Sequence, residues 1–344
     1  MFLKIYRWLF FNSVLFVCLS SHAKIFSPFN NRDLNVSEEK IKRAYRFLLI
    51  GHAYGSPKSF IRPPKNLINN IKKFNQLNLD FVVLLGDIVQ KANAESFFSF
   101  EDEFAKRLNA PVFNAVGNHD YNEVYKLRYG KSFYSFMFNG DNFLFLNSNI
   151  NLSSQVNLFD NLKSINRNIF VFTHHLIWTY DGSPYEELRW RSNNPWHWPR
   201  SNFYNDIVGN INKSANSKII FAAGDIGFKF STFFESTGKV DFIASGIGRN
   251  KNDAVILVDV DKNGEISYTP ISLTGKPLKS INTYDLKFWK SNIKEKVILP
   301  SLKKKTYYFI QNYKYLLFFC YLVLISLCFH YRKFFFSFSF RKKR

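Results

Sequence analysis

Short apolar runs alternate with segments of helical periodicity through the first half of the chain. Three runs predict buried strands, at residues 47–50, 81–85 and 111–116. Between them, apolar residues recur at helical spacing in residues 65–77, and residues 94–108 predict a second helix. Strands that alternate with helices in this way are typical of an α/β fold.

The second half of the chain is richer in strand patterns. Further apolar runs predict strands at residues 143–147, 169–173, 218–223, 240–244 and 254–260. The last run is followed by the turn signal Asp261-Lys262-Asn263-Gly264, which predicts a closing hairpin. We therefore predict one folded domain over residues 45–273, with a polar extension at residues 24–44 before it and a Lys-rich connector at residues 274–312 after it.

Both ends of the chain carry hydrophobic segments. Residues 1–23 combine Lys4 and Arg7 with an apolar run and end in Ser21-His22-Ala23, which predicts a secretory signal peptide. An uncleaved membrane anchor is the alternative. Residues 313–331 predict a transmembrane helix with tyrosines at its edges, and residues 332–344 predict a basic cytoplasmic tail. The domain is thus expected outside the cytoplasm, periplasmic or extracellular.

Basic residues concentrate outside the predicted domain. Of the formal net charge of +21, residues 275–344 carry +14 and residues 1–24 carry +3, which leaves about +4 for the rest. The domain therefore lacks the charge footprint of a nucleic-acid-binding protein, and the basic segments are expected to attract anionic membrane lipid.

The three cysteines, Cys18, Cys320 and Cys328, lie in the hydrophobic end segments. A metal in the domain must therefore use oxygen and imidazole ligands.

Polar motifs follow two of the predicted strands. Gly86-Asp87 ends the second strand, and Gly117-Asn118-His119-Asp120 ends the third. The carboxyl ends of neighbouring parallel strands open on one crevice, so these side chains are expected to converge. A carboxylate, a carboxamide and an imidazole brought together suit metal-assisted phosphoester chemistry.

These motifs and their order resemble those of the calcineurin-like metallophosphoesterases over residues 47–268. The resemblance implies a four-layer αββα sandwich of two mixed sheets with a dinuclear metal site. It also implies that Asp87 bridges two ions and that Asn118 binds one of them. His119 would then protonate the leaving group or stabilise the transition state, and Asp120 would orient His119.

A pair of histidines ends the predicted strand at residues 169–173. The related family supplies a metal-binding imidazole at this position, directly after the strand. We therefore predict that His174 is the ligand and keep His175 as the alternative.

Two family motifs are altered in this chain. His52-Ala53-Tyr54 stands in place of Asp-x-His, and Gly224-Asp225-Ile226-Gly227 stands in place of Gly-His-x-His. We predict one intact metal position, held by Asp87, Asn118, His174 and Asp225. A second position, weaker or absent, would be served by Asp87, His52 and Tyr54 as a phenolate. The structural alternatives are a strand-end turn for Asp225, a loop role for His52 and an ordinary half-buried aromatic for Tyr54.

Residues 178–200 hold four of the six tryptophans together with several arginines. Because this segment follows the histidine pair, we predict a lid over the site. Its contacts with substrate would come from Trp178, Arg189, Arg191 and His197. The alternative is a well-packed loop that covers the edge of the sandwich.

Together these features predict an exported, membrane-anchored hydrolase of phosphoester bonds. It would use one or two divalent ions of manganese, iron or zinc. Its substrate is expected among envelope phosphoesters, either lipid-linked or glycan-linked. The alternative is a catalytically impaired member of the fold that serves as a binding or scaffold module at the membrane surface.

Overall fold

The computed structural model describes residues 24–35, 43–54, 61–160, 162, 167–189, 201–211, 217–227, 229–248, 251–292, 313, 318, 321 and 323–325. The chain divides into two compact units, Met1–Asn292 and Ile293–Arg344. The predicted signal segment lies outside the described residues, as does most of the predicted membrane helix. Within the described ranges, no helix is both long enough and apolar enough to cross a membrane.

Two mixed β-sheets form the centre of the first unit. The strands are β1 (Lys24–Phe26), β2 (Asp33–Asn35), β3 (Tyr45–Ile50), β4 (Phe81–Leu84), β5 (Val112–Asn114), β6 (Tyr134–Phe138), β7 (Asp141–Phe145), β8 (Asn168–Thr173), β9 (Lys218–Ala223), β10 (Thr232–Ser236), β11 (Val240–Ser245), β12 (Ala254–Val260) and β13 (Ile266–Ser272). One sheet has the order β13-β12-β3-β4-β5 and the other β10-β11-β9-β8-β7-β6, while β1 and β2 form a separate pair. The strands β3, β4 and β5 run parallel, as do β7, β8, β9 and β11.

The core between the two sheets is built from phenylalanine. Phe47 and Phe81 of one sheet stack with ring centroids 4.7 Å apart, and Phe47 meets Phe170 of the other sheet edge-on at 5.4 Å. In β3, Phe47 and Leu49 belong to this inner core, while Leu48 and Ile50 belong to a second core that includes the helices. Because both faces of such strands are buried, their sequences are continuously apolar.

Helices cover both outer faces of the sheets. They are α1 (Lys65–Asn69), α2 (Ile71–Asn75), α3 (Ala94–Glu103), α4 (Glu123–Tyr129), α5 (Glu186–Arg189), α6 (Ser201–Ile211) and α7 (Leu286–Asn292). Short 3-10 helices occur at Ala105–Arg107, Leu152–Ser154, Val156–Leu158 and Ile281–Thr283. Residues of α1, α2 and α3 share a core with the five-stranded sheet. On the six-stranded sheet, the Tyr204 ring of α6 lies 5.2 Å from that of Phe221. The predicted α/β fold with two mixed sheets is therefore confirmed.

One predicted helix is interrupted. Residues 65–77 form α1 and α2 in place of a single helix, and the break falls at Asn70. The side-chain amide of Asn70 donates to the carbonyl oxygens of Asn66 (2.7 Å) and Leu273 (3.1 Å). Asparagine side chains that bond the backbone in this way compete with helical hydrogen bonding.

The first unit extends beyond residues 45–273 on both sides. Near its start, Ser27 Oγ donates to the carbonyl of Val112 (2.7 Å), and Phe29 stacks on Tyr129 at 4.3 Å. Near its end, Trp289 is fully buried and its Nε1 donates to the carbonyl of Thr232 (3.0 Å). Single anchors in otherwise polar segments produce no periodic pattern, so no sequence pattern indicates them.

Candidate metal centre

The loops after five strands meet at one edge of the sandwich. They carry His52 after β3, Asp87 after β4, Asn118 to Asp120 after β5, His174 and His175 after β8, and Asp225 after β9. Backbone hydrogen bonds join these loops: the amide of His52 donates to Gly86 (3.1 Å), and the amides of Gly224 and Asp225 both donate to the carbonyl of His174 (2.9 Å each). The predicted convergence of these strand ends is therefore present.

Asp87 lies at the centre of the cluster and is buried. Its Oδ2 is 3.3 Å from His174 Nε2 and 3.7 Å from His52 Nε2, and its Oδ1 accepts the backbone amide of His119 (3.0 Å). Asp87 has φ +53° and His52 has φ +49°. This left-handed conformation is uncommon for residues other than glycine, and such strain collects at functional sites.

Close approach of the backbone makes this arrangement possible. Gly117 passes so near Asp87 that a Cβ on Gly117 would lie 2.2 Å from the amide nitrogen of Asp87. No side chain fits in that gap, so the glycine before Asn118 is required by packing.

Three imidazoles are held through the same ring nitrogen. The Nδ1 atoms of His52, His119 and His174 lie 3.0, 2.8 and 2.9 Å from the carbonyl oxygens of Ile247, Gln90 and Leu85. A carbonyl oxygen can only accept, so each Nδ1 carries its hydrogen. In the neutral ring, Nε2 then carries a free lone pair. The Nε2 atoms of His52 and His174 face Asp87. Metal-binding histidines are typically oriented by such a bond from the other nitrogen.

A second group of ligand atoms lies beside Asp87. Donor atoms of His174, His175 and Asp225 all lie within 4.8 Å of one another, and the three residues are buried. His175 Nε2 is 3.2 Å from Asn118 Oδ1, and His175 Nδ1 is 2.7 Å from Ser148 Oγ. Both histidines of the pair therefore belong to the cluster. The sequence had already pointed to His175 as the alternative to His174, but nothing in it pointed to Ser148.

The charges of the cluster are strongly coupled. Burial lowers the pKa of His174, but the nearby carboxylate of Asp87 outweighs this and raises that pKa to about 10. Burial acts to raise the pKa of Asp87, yet His174 and the other imidazoles lower it to about 2. Burial also raises the pKa of Asp225 to about 7 and lowers that of His52 to about 4. The Asp87 carboxylate thus favours a positive charge at its side, which a proton on His174 or a metal cation supplies.

The donor set fits a divalent metal ion. His174 Nε2 is buried and has no hydrogen-bond partner, although Asp87 lies close to it. An unsatisfied buried nitrogen is costly, and coordination would satisfy it. The imidazole, carboxylate and carboxamide groups gathered here are those that zinc, manganese and iron accept. The residues that would hold the ion are Asp87, Asn118, His174, His175 and Asp225.

The altered half of the site has fewer donors. The Tyr54 ring lies between two imidazoles, with centroids 4.3 Å from His52 and 5.1 Å from His119. Burial, followed by the carboxylates of Asp87 and Asp225, raises the pKa of the Tyr54 phenol well above its usual range. In the metal-free protein, the phenolate expected for Tyr54 is therefore disfavoured, first by burial and then by repulsion from these carboxylates.

Asp120 serves the backbone in this structure. Its Oδ1 accepts the amides of Ile88 (2.9 Å) and Val89 (3.2 Å), and its Oδ2 accepts the amide of Gly117 (3.0 Å). The imidazole of His119 is instead oriented by the carbonyl of Gln90. The role expected for Asp120 is therefore corrected: its carboxylate shapes the loop after Asp87, because three amides there need an acceptor.

Two residues expected in a substrate lid are packed inside the protein. Trp178 is 1% exposed and its ring contacts Phe242 at 5.5 Å. Arg189 is 2% exposed and pairs with Asp181 at 2.8 Å. The expected substrate contacts of Trp178 and Arg189 are thus corrected to structural ones, since the outer face of the six-stranded sheet needs apolar cover. Arg191 and His197 lie outside the described residues.

Comparison with known proteins assigns the chain to a family. The family model described as calcineurin-like phosphoesterase matches residues 61–246, which is more than half of the chain. The chain therefore belongs to the calcineurin-like phosphoesterase family. No curated protein matches the chain.

The solved structures that match the chain include three from different organisms. A purple acid phosphatase from yellow lupin seeds has 9% sequence identity and a TM-score of 0.49, with 72% of this chain and 54% of that chain covered. This chain thus spans about half the length of the lupin protein. A predicted phosphoesterase from Streptococcus pneumoniae has 10% identity and a TM-score of 0.30, with 67% and 98% covered. A Thermotoga maritima protein has 15% identity and a TM-score of 0.34, with 66% and 99% covered.

Proposed function

We propose that this protein is a metal-dependent hydrolase of phosphoester bonds. The observation that carries the proposal is the convergence of His174 Nε2 and His52 Nε2 on one oxygen of Asp87, with Asn118 alongside. This arrangement lies in a chain of the calcineurin-like phosphoesterase family. A bound divalent ion lowers the pKa of water to near neutrality and offsets charge on the phosphoryl oxygens.

His119 is suited to donate a proton to the leaving group. Its side chain is exposed, unlike those of the other site histidines, so a substrate can reach it. Nδ1 is committed to the carbonyl of Gln90, which leaves Nε2 as the atom that holds and delivers the proton. The amide of His119 also donates to Asp87, which ties the proton donor to the metal-binding carboxylate.

A second candidate function is a binding or scaffold module that has lost catalysis. The observation in its favour is the altered half of the site, where Tyr54 and Gly227 stand at positions that carry histidine in the family motifs. With fewer ligands, a bound ion would still position a phosphate group without hydrolysing its ester. Binding and turnover therefore have to be measured separately.

The proposed setting is the outer face of a membrane. The signal-like residues 1–23 and the apolar residues 313–331 support an exported domain with a C-terminal anchor and a cytoplasmic tail. In that setting, membrane lipid would be a partner, and lipid-linked or glycan-linked envelope phosphoesters would be the substrates. Protease treatment of spheroplasts, whose outer envelope has been opened, and of lysed spheroplasts that express the full chain tests this. We expect the domain to be digested in unlysed spheroplasts; protection there would overturn the proposed orientation.

The hydrolase proposal is tested with the purified full chain. Bound metal is measured per chain, and hydrolysis of an aryl phosphate monoester and of a diester is followed with added manganese. We expect turnover that requires metal and is lost in Asn118→Ala, with Asn205→Ala, at an exposed position of α6, as a matched control. Metal binding without turnover would favour the binding module, and the absence of both would overturn both proposals.

A further inference from the structure

We infer that the centre holds one divalent ion rather than two, and that His175 is one of its ligands. The others are Asp87, Asn118, His174 and Asp225. The inference rests on the proposed metal-dependent function and specifies the site that would perform it. The family motif supplies one imidazole after this strand, so His175 is an additional ligand.

A turn directly after β8 points both histidines the same way. Consecutive residues of an extended strand face opposite sides of a sheet. Here Thr173 Oγ1 donates to the carbonyl of His175 (2.9 Å), and the amide of Ile177 donates to the same oxygen (2.9 Å). The ring centroids of His174 and His175 are consequently only 4.8 Å apart. The second imidazole therefore reaches the same side of the strand as the first.

His175 is fixed in the manner of a metal ligand. It is 2% exposed, and its Nδ1 lies 2.7 Å from Ser148 Oγ. The backbone amide of His175 also donates to Ser148 Oγ (3.3 Å), so one hydroxyl sets both the main chain and the ring. A partner on Nδ1 leaves Nε2 to face the cluster, as ligating histidines require.

The distances match a single coordination sphere. With bonds of about 2.0–2.2 Å, neighbouring ligand atoms on one ion lie about 3 Å apart and opposite ones about 4.2 Å apart. His175 Nε2 and Asn118 Oδ1 are separated by 3.2 Å, and His174, His175 and Asp225 offer atoms within 4.8 Å of one another. Asp87 Oδ2 lies 3.3 Å from His174 Nε2, so small side-chain movements would place donor atoms of all five residues on one ion.

The second metal position has few donors in the part of the chain that the structure describes, and the backbone opposes a histidine at residue 227. Gly227 stands where the family motif has its last histidine, with φ +124°, and a Cβ there would lie 2.7 Å from the carbonyl oxygen of Gly246. Among the described residues, His52 and the shared Asp87 remain there as ordinary metal-binding groups, beside the ring of Tyr54. Two protein donors are fewer than the three that catalytic metal sites use.

The experiment measures Co²⁺ binding to the purified full chain by equilibrium dialysis and visible absorption. We expect one Co²⁺ per chain. His175→Gln should weaken the affinity for Co²⁺ by at least about 10-fold, and Ser148→Ala by about 10-fold. Ser154→Ala, at an exposed position outside the cluster, is the matched control for Ser148→Ala and should change the affinity by less than about 3-fold. Circular dichroism checks that each variant is folded.

Other outcomes separate the two proposals. Two Co²⁺ per chain, or an unchanged affinity in folded His175→Gln, would overturn this inference and leave the hydrolase proposal intact. One Co²⁺ with the expected losses but no hydrolysis would uphold the inference and count against the hydrolase.

The wild-type chain provides a measurement that needs no variant. In proton NMR of the Co²⁺-loaded protein, the paramagnetic ion shifts the resonances of the exchangeable Nδ1 hydrogens of its ligating imidazoles far outside the ordinary chemical-shift range. We expect two such signals, from His174 and His175. A single signal would overturn the role of His175 even if His175→Gln failed to fold.

Discussion

His174 Nε2 lies 3.3 Å from Asp87 Oδ2 in the interior of the sandwich. Neither group is solvated, so each is stabilised chiefly by the charge of the other. The pair raises the pKa of His174 to about 10 against the opposing effect of burial. A metal ion at this position must therefore replace a proton.

We predict that metal affinity rises with pH. Below about pH 10, His174 carries the proton that a metal must displace, so affinity should rise by up to tenfold per pH unit. Burial raises the pKa of Asp225 to about 7. Below that pH, metal binding therefore also displaces a proton from Asp225, and metal affinity rises more steeply with pH. Calorimetry in buffers of different ionisation enthalpy counts the protons. An affinity that is constant between pH 6 and 9 would contradict the pairing.

Asp225→Asn should stabilise the metal-free protein at alkaline pH. Burial raises the pKa of Asp225 from 3.8 to about 7, so the folded state disfavours the ionised carboxylate. That penalty is absent below about pH 4, grows up to about pH 7 and is fully present above it. Melting temperatures with a chelator present should therefore favour the variant at pH 8 more than at pH 5. Asp206→Asn, at an exposed position of α6, serves as the control and should show no such difference.

The effect of His119→Ala should depend on the leaving group. Proton donation by a positioned histidine contributes about 10²–10⁴-fold, and it matters most when the leaving alkoxide is basic. We expect a loss of at least about 10²-fold in kcat on alkyl phosphates and a much smaller loss on p-nitrophenyl phosphate. Metal affinity should stay the same, since His119 meets Asp87 through its backbone amide. Equal losses on both substrates would argue against proton donation.

Trp289→Ala should destabilise the first unit by about 3–5 kcal/mol, the range for a buried large aromatic. Trp289 is fully buried and bonds Thr232 of β10, although it lies beyond the predicted end of the domain. Denaturant unfolding of the full chain measures the change. Phe98→Ala, at a position 55% exposed, is the control and should change the free energy of unfolding by less than about 1 kcal/mol. Equal stability of the two variants would show that α7 is not integral to the unit.

Strands that are buried on both faces were predictable from the sequence. The position of the candidate site at their carboxyl ends was predictable as well. β4 is apolar throughout and the interiors of β8 and β9 are apolar, and the first polar side chain in the loop after each strand reaches the site. β10 was not predicted, because Thr232–Ser236 is short and ends in polar residues. Its place depends on pairing with β11 and on the distant Trp289, which no local pattern encodes.

The candidate site was predictable by residue type but less so by role. Asp87, Asn118 and His174 converge as expected, because motif and strand end coincide. Trp178 was misread because a tryptophan near a site and a tryptophan that covers a sheet have the same local sequence. The role of Asp120 was not predictable, because its partners are backbone amides and these produce no sequence pattern.

The carbonyl oxygens that hold His52, His119 and His174 all belong to the main chain. A substitution of Ile247, Gln90 or Leu85 changes a side chain and leaves each acceptor oxygen in place. Replacement of the residues that orient these imidazoles should therefore leave the ring orientations unchanged. A change that displaces a strand end would move the rings. Tuning through these three imidazoles should therefore come from the packing of the sheets, whereas His175, which is held by the hydroxyl of Ser148, responds directly to replacement of its partner.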